Sequence, residues 1–453
     1  MQWKNSLTVL ALGAVLGLGG CGSSDHDEAT PAVVTPTVSL KLVHAAVDAP
    51  AVNATSGDAF NATNIAFGKA SAATKVPATG LGVAVSAILP DNSTTAVLTP
   101  VLAFTPGQTY TAYAVGKVAD GSLSALLVNA PDNTPSAGNA LLQVVHAAAG
   151  APTVDVHLTA PNATLSSSTV TATLPFKQFT GAVSVPAGDY RIRITPAGAA
   201  GTVVFDSGTV AIPAGANLQV AAIDNRFAGP SPVSLLTVDP TGATGDIKDI
   251  NSTSAVRVVH AVADAPAVDV LLNNSKAINA LKFPDFTGYA QLKPGKYNVK
   301  VAANADNSVV VINADLDLAA GSFATVLATG SLATNSIKPW VLADTPRRVA
   351  TAAQVRIAHA STVAGKVDIY VTTSRDISGS TPAFKDVAFM AETGYVNLKP
   401  GSYVVTVTPA GSKTAAIGPV QLELAGNKIY TAVARDGIAG AAPGLILLDD
   451  FNL

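Results

Sequence analysis

The fold class predicted for this chain is all-β, four antiparallel immunoglobulin-like β-sandwiches in tandem. Three observations predict it. A strand–turn–strand unit, best seen in Ala255–Val270, recurs four times with a period of roughly one hundred residues. Apolar and polar residues alternate with a period of two inside each copy, and no stretch sustains a helical period. Turn signals built on Pro and Gly recur about every eight to twelve residues, the spacing of short sandwich strands.

The repeated unit anchors each copy. Ala255–Val270 reads Ala-Val-Arg-Val-Val-His-Ala-Val-Ala-Asp-Ala-Pro-Ala-Val-Asp-Val, and its relatives are Leu40–Val52, Leu142–Val156 and Val355–Ile369. The histidines that mark them are His44, His146, His260 and His359. Arg257 alternates with Val256 and Val258, and Val268 and Val270 flank Asp269, so both strands of the unit show a period of two.

A second device follows. In Leu292–Val301 the Pro294-Gly295 pair presets a turn, because Pro fixes φ and Gly accepts positive φ. Beyond it Tyr297, Val299 and Val301 share one face, while Lys296, Asn298 and Lys300 share the other. Pro400–Val407 and Pro186–Ile194 repeat the pattern; the first copy offers only Gly82–Val85 and is the most divergent. A Gly-x-Tyr entering such a strand is similar to the tyrosine corner of immunoglobulin-like sandwiches. Further turns stand at Gly107, Gly215, Gly321 and Gly426, and the copies close on Ala125–Val128, Val233–Val238, Pro339–Leu342 and Leu445–Leu448.

These signals divide the chain into a leader 1–21, a tether 22–37, and sandwich repeats at 38–136, 139–246, 253–346 and 351–453. At 453 residues the chain is too long for one core and suits about three to five domains. Apolar residues make up 48% and charged ones 13%, which excludes a disordered chain. A net charge of −3 without a basic run excludes nucleic acid as a partner. The connectors near Pro135, Thr241–Thr253 and Pro346–Ala350 read as short and semi-ordered.

The leader carries Lys4 and then an apolar run, Leu7–Gly20, too short to span a bilayer. It ends Leu18-Gly19-Gly20-Cys21, which resembles a bacterial lipobox, and Cys21 is the only cysteine. That resemblance implies a lipid on Cys21 and thus a membrane partner. With no Asp at the second position after cleavage, it also implies an outer-membrane lipoprotein facing the periplasm or the cell surface. Each buried CH₂ contributes about 0.8 kcal/mol, so two or three chains hold a protein without a helix. One cysteine also excludes an intramolecular disulfide and Cys-x-x-Cys redox chemistry. The acidic cluster Asp25-His26-Asp27-Glu28 reads as part of a solvated spacer rather than a metal site.

The run Val-Arg-Val-Val-His-Ala-x-x-Asp-Ala-Pro-Ala-Val-Asp-Val, with the later Leu-Lys-Pro-Gly-x-Tyr, resembles the bacterial "domain of unknown function 4397" family. The resemblance covers four copies and implies a fold, but no chemistry. The second and fourth copies depart from it by lacking the turn aspartate, with Gly150 and Val363 or Ala364 in its place.

The candidate site residues are the histidines and the residues nine positions on: His44 with Asn53, His146 with Asp155, His260 with Asp269, and His359 with Asp368. Nine residues can bring neighbouring strands face to face. The pair then serves either as a metal or proton-handling site or as a turn pinned by an imidazole bonded to carboxylate or backbone. One histidine and one or two carboxylates per copy fall short of the three or four ligands a metal needs, so the expectation is structural, with no metal and no cofactor. His157, found in one copy only, is read as a surface residue.

No Gly-x-Ser-x-Gly, His-Glu-x-x-His, phosphate loop or calcium loop occurs, and no pair of glutamates suits a glycosidase. Aromatic residues are 5% of the chain, and Trp340 is the only tryptophan outside the leader, so sugar-stacking platforms are scarce. The expected function is a non-catalytic, lipid-anchored envelope or surface protein with a structural, adhesive or scaffold role. An envelope protein or polysaccharide is the candidate partner. The alternative is a lipoprotein that binds a metal or glycan at the His/Asp turn or in an inter-domain groove.

Overall fold

The computed structural model describes residues 35–166 and 169–452; Cys21 and the tether residues through Val34 lie outside them. Among the described residues, apart from single 3₁₀ turns such as Ile438–Gly440, the regular structure is β. Each copy is a sandwich of two sheets, as the alternation predicts.

The fourth copy shows the plan. Its histidine strand, Ala353–His359, lies between Val396–Leu398 and Lys428–Arg435, and Gly444–Asp449 completes that sheet. The second sheet places Val367–Thr372 between Phe384–Val387 and Gly401–Pro409, with Ile417–Leu424 outermost. The Pro-Gly device opens a strand in this second sheet, and the equivalent Gly295–Ala303 pairs antiparallel on both sides.

One pairing in each copy departs from the antiparallel rule. The histidine strand runs parallel to Gln108–Val115, Asn217–Asp224, Phe323–Thr329 or Lys428–Arg435, with Leu40 opposite Tyr110, Leu142 opposite Leu218, Val256 opposite Ala324 and Val355 opposite Tyr430. A parallel pair needs a crossover rather than a hairpin. Here the crossover is the entire second sheet, so the pairing is invisible to local turn chemistry.

The expected tyrosine corner is present in three copies. The hydroxyls of Tyr190, Tyr297 and Tyr403 donate to the carbonyls of Pro186, Lys293 and Lys399, each four residues upstream, at 2.8–2.9 Å. The first copy, without the Gly-x-Tyr, lacks it.

The copies are not separate beads. Pro36–Leu453 forms one compact unit. The histidine-bearing sheets of copies one and two face each other across a shared core that includes Val43, Tyr113, Val128, Val145, Ile223 and Leu236. Copies three and four repeat the arrangement with Val259, Leu327, Leu342, Val433 and Leu448, and Trp340 packs against this second shared core. Each pair is therefore a stack of four sheets, and its two central sheets are buried on both faces. The pairs are joined in turn. Ala228 donates to Gly321 at 3.1 Å, and Arg347 reaches from the third connector to the carbonyls of Val47 and Ala49 at 2.9 Å. The segment read as a semi-ordered connector after Thr241 instead adds a strand, Thr244–Ile247, to its sheet.

Arg257 shows where the polar face of the alternating histidine strand goes. The residue is 3% exposed, because that face points into the neighbouring copy, where Arg257 meets Asp449, rather than into water. The near-continuous apolar run around it is the signature of a parallel strand covered on both faces.

Candidate functional site

The histidine turn is built the same way four times. Each imidazole caps the end of its strand and is essentially buried. Its Nε2–H donates to a carbonyl six residues on: Pro50, Pro152, Pro266 and Gly365, at 2.7–3.1 Å. In three copies Nδ1 accepts the N–H two residues on, from Ala46, Val262 and Ser361 at 3.3 Å. Both ring nitrogens are then spent, and the neutral Nε2–H tautomer is selected. Phe67, Phe176 and Phe283 stand edge-on to the rings of His44, His146 and His260, with centroids about 6 Å apart. Burial pushes the pKa of all four histidines down, that of His44 to about 4.

The residues nine positions on do not join the histidines. They lie in the opposite sheet and tie its hairpins together. Asn53 accepts from Asn64 N–H, and Asp155 accepts from the Thr173 hydroxyl and Gly198 N–H. Asp269 pairs with Lys276 and accepts from Ala280 N–H, Asn304 and Asn307. Asp368 accepts from Asp386 and Gly411 N–H. These donors hold the three carboxyls below the usual carboxylate range. Among the described residues no group of three His, Cys, Asp or Glu could hold a metal ion.

His157 is not a surface residue. It is fully buried, and its ring nitrogens meet the hydroxyls of Thr169 and Thr195 at 3.0 and 3.2 Å. The reason is that its strand, Val154–Thr159, is central in the second sheet, flanked by Ala172–Leu174 and Gly188–Pro196.

The missing turn aspartates of copies two and four are replaced from across the gap. In copies one and three the turn residues Asp48 and Asp264 accept backbone N–H groups of the loop after the penultimate strand, from Val118 and Ala119 and from Leu332 and Ala333. In copies two and four the carboxylate sits on the other side of the contact, as Asp224 at the end of Asn217–Asp224 and Asp436 just past Lys428–Arg435. It reaches back to the turn's N–H groups at Ala149 and Gly150 and at Thr362 and Val363. The same clamp closes each sandwich with its charged end exchanged. Odd copies thus match odd ones and even copies match even ones, as expected of a doubled two-copy unit.

The position three residues before each histidine, Lys41, Gln143, Arg257 and Arg356, supplies the polar contacts of the two seams. In the second seam Arg257 pairs with Asp449 at 2.6 Å and Arg356 with Asp344 at 2.5 Å, a reciprocal exchange between copies three and four. Tyr289 and Tyr395 cover the two guanidinium groups at 4.8 and 4.5 Å. In the first seam Lys41 donates to the Asp239 carbonyl at 2.6 Å, and Gln143 to those of Asn129 and Thr180 at 2.9 Å. Burial pushes the Lys41 ammonium down to about 8. These shorter side chains leave a polar cleft of about 320 Å³ beside Lys41, Gln143, Asn217, Gln219 and Asp239.

Sequence reasoning missed the seam residues and the ring-flanking phenylalanines. The second group had a signal: Phe-x-x-Phe-Thr-Gly occurs at Phe176–Gly181 and Phe283–Gly288. The threonines of these runs, Thr180 and Thr287, and Thr393 of Glu392-Thr393-Gly394 in copy four each accept an N–H from the histidine strand.

The family described as "Domain of unknown function (DUF4397)" matches at residues 38–157, 159–248, 254–370 and 372–453. The chain belongs to this family. The first and third DUF4397 segments run on through the histidine turn of the following copy, so the matched segments group the copies in the same pairs that share cores. No curated protein matches the sequence. Among solved structures, the chain is similar to the Bacillus anthracis TIE protein at 11% identity, covering 88% of this chain and 68% of that one with a TM-score of 0.15. A variant of BcpA, the major pilin subunit of Bacillus cereus, is similar at 10% identity over 66% of this chain and 99% of the pilin, also with a TM-score of 0.15.

Proposed function

We propose that this DUF4397 protein is a lipid-anchored bacterial envelope or surface protein that serves as a rigid structural, adhesive or scaffold element without catalysis. The observation that carries the reading is where its chemistry goes. The repeated histidines, aspartates and arginines are consumed in closing turns and joining copies, so the polar groups that most resemble a site act as fasteners. The lipobox-like leader supports the anchor, with Cys21 as the lipid-bearing residue in the outer membrane. Cells fed radiolabelled palmitate are expected to label the wild-type chain and leave Cys21→Ser unlabelled. Equal labelling of the two would end the anchoring proposal, and protease shaving of intact cells distinguishes a surface face from a periplasmic one.

The polar cleft of the first seam favours a second reading, binding of a neutral glycan. Its lining, which includes the amides of Asn133, Gln143, Asn217 and Gln219, suits sugar hydroxyls. Titration of the full chain against short envelope oligosaccharides is expected to give saturable heat that Gln219→Ala reduces at least fivefold. Absence of heat from every oligosaccharide leaves the scaffold reading alone. The His/Asp turns offer a metal less, because a ligating imidazole nitrogen would have to abandon its bond to the turn.

A further inference from the structure

The second copy differs from copies one and three between its sheets. A cavity of about 190 Å³ lies there, walled by Val156, Ile192, Val220 and Ala222. The cavities between the sheets of copies one and three measure about 10 and 60 Å³. In copy one, buried Phe60 lines the corresponding space, carried on a six-residue edge strand, Phe60–Ile65. The counterpart in copy two is the three-residue strand Ala172–Leu174, which ends before a residue equivalent to Phe60 is reached.

His146 lines the same cavity, and it is the one repeated histidine whose Nδ1 has no hydrogen-bond partner. Its Nε2–H is committed to Pro152. In a neutral ring Nδ1 is then a buried acceptor without the N–H bond that satisfies its counterparts. His146, Thr171 and Thr180 are the polar residues on a wall otherwise made of Val, Leu, Ile and Ala, and both threonine hydroxyls already accept a backbone N–H, from Leu158 and Val144. A dry apolar cavity of roughly 150 Å³ is enough to admit benzene.

We propose that the core of copy two is a binding site for a small, mainly apolar molecule bearing one hydroxyl, of about the size of a phenol. Its ring or chain fills the space between the sheets, and its O–H donates to Nδ1 of His146. The sandwich that carries the site is held shut by the Asp224 clamp at the histidine turn and by the first seam on its other face.

The test uses the full chain with phenol and benzene as probes, followed by calorimetry and by ¹⁵N resonances of the imidazoles. Phenol is expected to bind saturably and shift His146 Nδ1, while benzene binds without moving that resonance. Ala222→Leu, which fills the cavity, is expected to weaken phenol at least tenfold with an unchanged circular dichroism spectrum. If that variant fails to fold, the His146 resonance in the wild-type chain decides alone. Failure of phenol to bind, phenol binding that leaves Nδ1 unmoved, or unaltered affinity in folded Ala222→Leu would each overturn the proposal.

Discussion

Replacing Arg356 by Ala is expected to destabilise the second pair of copies by about 3–5 kcal/mol, the cost of stranding a buried charge. Arg356 is completely buried, and its guanidinium holds Asp344, itself almost fully buried, together with the Ala343 carbonyl. Without it, Asp344 keeps hydrogen bonds from Tyr289 and Thr325 but loses its countercharge. The double variant Arg356→Met, Asp344→Leu removes both charges and is expected to recover most of the loss, since a buried pair replaced by apolar groups of similar volume is often neutral. Trp340 packs at this seam, so its fluorescence reports the denaturation midpoint locally. A midpoint for Arg356→Ala equal to that of wild type would contradict the fastening role of the seam.

Lowering the pH from 7.5 to about 5 is expected to destabilise the whole unit well before its carboxylates titrate. All five described histidines have pKa values depressed by burial, and that of His44 falls from 6.5 to about 4. Below pH 6.5 the unfolded chain binds protons that the folded chain refuses. The stability these groups contribute is thus complete above about 6.5 and is lost as pH falls toward the folded value. At roughly 1.4 kcal/mol per pKa unit, His44 alone accounts for about 3 kcal/mol. Burial is the main cause, and a protonated Nδ1 of His44, His260 or His359 would also face the backbone N–H it now accepts. Asp224 acts in the opposite sense. Burial raises its pKa, so its contribution is full below the unfolded carboxylate value and declines as pH rises through the folded one. His44→Gln is expected to flatten the dependence between pH 6.5 and 5. Equal denaturation midpoints for the wild-type chain at pH 7.5 and pH 5 would refute this account.

The second prediction gives the histidine a different role from the one its spacing suggests. Nine residues do separate His260 from Asp269, but the turn carries them into opposite sheets, where each finds backbone partners of its own. Sequence spacing measures the length of the turn and not which sheet its far end enters. The carboxylate clamp illustrates the same limit. Gly150 and Val363 look like lost aspartates, yet Asp224 and Asp436 restore the contact from more than seventy residues away. No local pattern announces a partner at that distance.

The residue order by itself determined the β class, the four copies, the Pro-Gly turns and the tyrosine corners. The turns and corners depend on local φ preferences, the β class on a period of two, and the copies on one motif recurring along the chain. Tertiary structure alone decided the parallel pairing, the two shared cores and the burial of Lys41, Gln143, Arg257 and Arg356. Alternation records which side of a strand is polar, and a polar face looks the same in sequence whether it meets water or the hydrogen-bonding groups of a neighbouring copy.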